Sequence, residues 1–80
     1  MDNFKEYVRK LGDRINEIRL AKNISLEVLS LDSKIDVCIL EKIELGSEDS
    51  YVDDIIKIAH SLNVEVTELF SDKPLQYSNK

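Results

Sequence analysis

The chain has a single cysteine, Cys38, so no disulfide can form within it. Its single histidine, His60, has no cysteine or second histidine at metal-ligand spacing. No metal or cofactor is therefore expected, and His60 reads as a partly exposed surface residue. Only one proline occurs, Pro74, and only two glycines, Gly12 and Gly46; there is no repeat and no low-complexity segment. No apolar run approaches the roughly 20 residues that span a bilayer. The opening MDNFKEYVRK lacks the apolar core of a signal peptide. No membrane association and a cytoplasmic setting are the expectations. Catalysis needs a cleft with converging polar groups, and no nucleophile, base or paired carboxylate stands out. The chain reads as a non-enzyme with no catalytic residues.

What remains is a composition for helices. At 80 residues the chain makes one small domain. With neither bridge nor metal, its stability must come from well-packed helices, aided by self-association. An apolar fraction of 42% and a charged fraction of 34% suit a folded helical domain. The net charge is −5, unevenly spread: +1 over residues 1–35 and −6 over residues 36–80. A phosphate backbone rewards a basic face rather than a basic total, so local arrangement decides.

Helical periodicity runs along the whole chain. Phe4, Tyr7/Val8, Leu11, Ile15, Ile18 and Ala21 fall in steps of three and four, one stripe on one face. Asp2 or Asn3 can cap that helix and Asn23 can end it. Gly12 sits inside it, at a cost of about 1 kcal/mol relative to Ala, and marks a close approach or a break. Ser25 is an N-cap with Glu27 in the first turn, and Leu29 is core. Asp32-Ser33-Lys34 interrupts the pattern as a turn; Ile35 enters the core and Asp36 caps a third helix from Val37 to Leu45, with Leu40 and Ile43 inward. Gly46 suits the left-handed position that ends it. After a polar loop, Ser50 and Asp53 resemble a capping box. Val52, Ile55, Ile56, Ala59 and Leu62 mark a fourth helix ended by Asn63. Val64, Val66, Leu69 and Phe70 suggest a short fifth, capped near Glu65. Residues 1–72 then form the domain, with the paired helices at 25–46, and 73–80 a tail.

From Leu11 to Phe70 the chain resembles the Xre/Cro family of phage lambda-repressor-like helix-turn-helix domains. The resemblance is carried by LGDRINEIR (11–19), Ser25 to Leu29, IEL-G (43–46), KIAHSLNV (57–64) and TELF (67–70), in that order and spacing. It implies an all-α fold, a compact five-helix bundle, with helix 37–45 in the DNA major groove and the start of the second helix on phosphate. It also implies a structural ion pair between Arg19 and Glu44, which would fix the recognition helix to the scaffold. The base-facing positions become Val37, Cys38, Glu41 and Lys42; the phosphate-facing ones become Ser25, Leu26 and Lys34. Several of these depart from the family's habit. Leu26 stands where Gln is usual, Ser33-Lys34 where an apolar residue and Gly are usual, and Val37-Cys38-Ile39 where polar base readers are usual. Apolar groups can meet a thymine methyl and Glu can accept from cytosine, but residues 25–45 carry a net −3.

Two functions follow. The first is a sequence-specific transcription regulator, a repressor or activator, binding double-stranded operator DNA as a homodimer. The second is a protein-interaction module on the same fold, in which Leu26, Leu31, Val37, Cys38 and Ile39 form an apolar patch ringed by acids and bind a protein partner. Phe4, Tyr7, Leu75 and Tyr77 are candidates for a dimer contact. Cys38 reads as a small, half-buried residue.

Overall fold

The computed structural model describes residues 3–46 and 52–70 as five helices: α1 Asn3–Ala21, α2 Leu26–Ser33, α3 Val37–Glu44, α4 Val52–Leu62 and α5 Val66–Leu69. No strand occurs among the described residues, and no helix there is long and apolar enough to cross a membrane. The all-α, five-helix expectation holds. Asp2, the Ser50 cap, the loop acids Glu48 and Asp49, and the tail with Leu75 and Tyr77 fall outside the described residues, as does the side chain of Phe4.

The longest helix is the scaffold. Val8, Leu11, Ile15 and Ile18 bury one stripe of α1, each step of three or four residues returning to the same face. That stripe meets α3 on one side and α5 on the other, while α2 packs on α3 and α4 and closes the bundle. Leu29, Ile35, Leu40, Ile43, Ile55, Ile58, Leu62 and Leu69 fill the space between. Full burial of each such side chain contributes roughly 1.5–3 kcal/mol.

Two helices end in the same way. Asn23 and Asn63 take the left-handed conformation, with φ of 59° and 61°. In each case the next residue donates its N–H five residues back, Ile24 to Arg19 and Val64 to Ala59, both at 3.0 Å. These are Schellman closures, and in both the residue after Asn is apolar and packs on the core. Asn tolerates this backbone because its short amide can satisfy it locally.

Several expectations are corrected. Helix α2 continues through Asp32 and Ser33, and the chain turns only at Lys34, which sits left-handed at φ 64° with its N–H on the Ser30 carbonyl at 2.8 Å. Helix α3 stops at Glu44, with Leu45 as its C-cap. Asp36 and Glu65 occupy N-cap positions but make no side-chain capping bond. Of the pair Tyr7/Val8, only Val8 is buried; Tyr7 is 67% exposed, and Ala21 is also exposed. In α4 the buried stripe is Ile55, Ile58, Ala59 and Leu62, so Ile56 lies 48% exposed on the flank while Ile58 is fully covered. Phe70 likewise turns out to solvent, with Leu69 taking the inward place.

Candidate nucleic-acid interface

The site is the α2–turn–α3 unit and the part of α1 that holds it. Ser25 opens α2 with its Oγ accepting the Val28 N–H at 3.1 Å. That leaves the first-turn N–H groups of Leu26 and Glu27 without a partner inside the helix. The Leu26 side chain is half-buried against the core. What this position offers outward is therefore backbone, not side chain. The turn is fixed by two serines. The Ile35 N–H donates to Ser33 Oγ at 3.3 Å, and Ser30 Oγ donates to the Ile35 carbonyl at 2.6 Å. Sequence reasoning passed over both, because a serine between apolar residues looks like an interruption rather than a staple.

Helix α3 has two unlike sides. Its inward side carries Leu40 and Ile43, both buried. Its C-terminal end is clamped to α1. Arg19 Nε donates to Glu44 Oε2 at 2.8 Å and its Nη2 to Oε1 at 3.2 Å. Asn16 Nδ2 donates to the same Oε1 at 2.9 Å, and Arg19 Nη1 reaches the Ile24 carbonyl at 2.8 Å. Both charged side chains are only 9% exposed. Every oxygen of the carboxylate and three guanidinium nitrogens are engaged, which is what a buried pair needs to offset desolvation. The two glycines of the chain lie on this same seam. A Cβ on Gly12 would collide with the Ile43 carbonyl oxygen and lie 2.7 Å from that of Glu44. Gly46, at φ +88°, approaches the Arg9 backbone so closely that a Cβ there would be 3.0 Å from its Cα. Exposed Arg9 is thereby set beside the end of α3.

The outward side is free. Cys38, Glu41, Lys42 and Leu45 are all exposed, and their spacing of three and four residues makes one stripe. Cys38 is thus a surface residue, not the half-buried one expected. Leu45, at 83% exposure, belongs to this stripe despite its apolar side chain. Val37 is half-buried at the edge, and Ile39 is exposed on the other flank. Lys34 is exposed in the turn. Among the described residues no cluster of His, Cys, Asp and Glu could hold a metal ion, and His60 is exposed on α4.

No protein-family model matches the chain, and no curated protein does. Among solved structures it is similar to the restriction-modification controller protein C.AhdI from Aeromonas hydrophila, at 35% identity and a TM-score of 0.75. The match covers 79% of this chain and 96% of that one. With that identity along almost the whole of a solved relative, the chain belongs to the Xre/Cro family of helix-turn-helix DNA-binding transcription regulators, with the lambda-repressor-like fold.

Proposed function

We propose that the protein is a sequence-specific operator-binding regulator that acts as a homodimer in the cytoplasm, with α3 in the major groove. The observation that carries this reading is the contrast between the two sides of α3. Its end is clamped through Glu44 by Arg19 and Asn16 and lies close against α1 at both glycines, while the side chains of its outward stripe have no partner among the described residues. A helix held this firmly, with one side unoccupied, is what groove insertion requires. The N–H groups opening α2, with Lys34 and Arg9, take phosphates. Cys38, Glu41 and Lys42, with Val37 at the edge, face bases. A second copy supplies the second half-site, because one recognition helix spans too few base pairs for useful affinity. The likeness to C.AhdI, a restriction-modification controller, supports a restriction–modification pair as the genes it controls.

The test is a salt titration of binding to duplex DNA from upstream of its own gene. With Lys34 and Arg9 on phosphates, log affinity falls against log salt with a slope of roughly −2 per protomer. A slope near zero defeats the proposal. It would favour the second reading, a protein-binding module, for which the exposed apolar Val28, Leu31 and Ile39 beside Glu27, Asp32 and Glu41 speak.

A further inference from the structure

Resting on the DNA-binding reading, we infer that Glu41 and Lys42 act as a couple that selects a C·G base pair in each half-site. The two are consecutive on α3, both exposed, and neither side chain has a hydrogen bond or ion pair among the described residues. Residues adjacent in sequence do not face each other on a helix, so neither side chain takes the other as its partner while both stay on the exposed stripe. The remaining charge on α3, Glu44, is consumed by Arg19 and Asn16. Cys38 and Leu45, one turn to either side on the stripe, are uncharged. The helix therefore brings one uncommitted acceptor and one uncommitted donor to the groove, side by side.

The chemistry of the bases decides what can meet them. A carboxylate only accepts hydrogen bonds. Guanine and thymine present only acceptors in the major groove, so Glu41 is repelled by both. Adenine offers its N6 amino group, but beside the acceptor N7. Cytosine offers its N4 amino group with no acceptor on its own major-groove edge. An ammonium only donates, and guanine O6 and N7 are the strongest paired acceptors in the groove. A C·G pair sets the cytosine donor next to the guanine acceptors, the complement of Glu41 next to Lys42. Selection is largely by exclusion. An unmet carboxylate pushed among acceptors and phosphates weakens binding to every other pair, so the one outward acid of the recognition helix sharpens selection. The rigid clamp on Glu44 matters here, since a helix free to roll would let Glu41 swing back to water.

The experiment is enrichment from a pool of randomised duplexes on the immobilised full chain, followed by sequencing, for the wild type, Glu41→Gln and Lys42→Met. Both substitutions are at exposed positions, and circular dichroism checks that the helices persist. The wild type should prefer C·G at one position per half-site by roughly tenfold. In Glu41→Gln that position should move to A·T, since Gln both accepts from N6 and donates to N7, with the rest of the motif unchanged. Lys42→Met should weaken the preference for C·G at the same pair without moving it to another pair. If both variants keep the wild-type motif at every position, the inference is overturned while the DNA-binding reading stands. If the wild type enriches nothing and its DNA retention ignores salt, the DNA-binding reading fails and takes this inference with it.

Discussion

Gly12→Ala is the sharpest probe of how α3 is seated. In an exposed helix interior the change would stabilise α1 by about 1 kcal/mol through propensity alone. Here the added methyl would collide with the Ile43 carbonyl and lie 2.7 Å from the Glu44 oxygen and 2.9 Å from the Glu44 carbonyl carbon. Ordinary carbon–oxygen contacts begin near ~3.3 Å, so α3 would have to retreat by more than half an ångström. The atoms in the way are backbone, which no rotamer change can relieve. Retreat is also opposed by the Arg19–Glu44–Asn16 hydrogen bonds, which tie the end of α3 to α1. Overpacking of this kind costs about 1–3 kcal/mol, and a locked backbone belongs at the upper end. After the propensity gain, a net loss of about 2 kcal/mol remains. For a domain of this size each kcal/mol lowers Tm by about 4–8 °C, so a fall of about 10 °C is expected. Thermal unfolding followed by circular dichroism reads it, with Asp13→Ala as control: it is the adjacent, exposed position and receives the propensity gain without the collision. A Gly12→Ala protein at least as stable as the wild type would refute the close approach of α1 and α3.

Three further outcomes are expected. Arg19→Ala and Glu44→Ala should each cost about 3–5 kcal/mol in urea titrations, because each strands the other's buried charge, and the double variant should cost well under their sum; additive losses would mean the two side chains do not meet. Ile58→Ala should cost about 2–5 kcal/mol by the same assay and Ile56→Ala under about 1 kcal/mol, since only Ile58 is covered; equal costs would overturn the orientation of α4. Lys34→Gly should stabilise by roughly 0.5 kcal/mol, as relief of about 1 kcal/mol of left-handed strain exceeds glycine's added unfolded-state entropy. It should also reduce the salt slope of DNA binding by about 1, and an unchanged slope would remove Lys34 from the phosphate contacts.

Periodicity was enough wherever a helix buries one clean stripe. Leu11, Ile15 and Ile18 in α1, and Leu40 and Ile43 in α3, follow from spacing alone. It failed where two adjacent apolar residues compete for one inward place. Tyr7 against Val8, Ile56 against Ile58 and Phe70 against Leu69 are decided by where the neighbouring helix lies, and a sequence window carries no such information. It failed again where polar residues do structural work at short range. Ser30 and Ser33 hold the Ile35 peptide from both sides, yet serine's low apolarity made the segment read as a break. The meeting of Arg19 with Glu44, 25 residues apart, has no local signature; only the resemblance to a family pointed to it. The reach of Leu45 into solvent had no sequence signal, because a leucine at a helix end ordinarily packs.

The acidity of the α2–α3 unit looks like an objection to DNA binding until its charges are sorted by what they do. Glu44 is not part of the face at all; it is consumed in the clamp. Glu27 stands in the first turn of α2, where the helix dipole favours it. The two acids nearest the turn, Asp32 and Asp36, both exposed, share one lysine, Lys34, between them. Only Glu41 faces outward from the middle of α3, and Lys42 is beside it. With Glu44 set aside, residues 25–45 still carry a net −2, so the face proposed to meet the groove is mildly acidic. Such a face gives weak attraction to arbitrary duplex and leaves discrimination to a few directed contacts. Because none of the core depends on Cys38, Glu41, Lys42 or Leu45, substitutions along that outward stripe should leave the fold undisturbed. The clamp of Gly12, Asn16, Arg19 and Gly46 has no such freedom, and it is there that single substitutions should abolish structure and binding together.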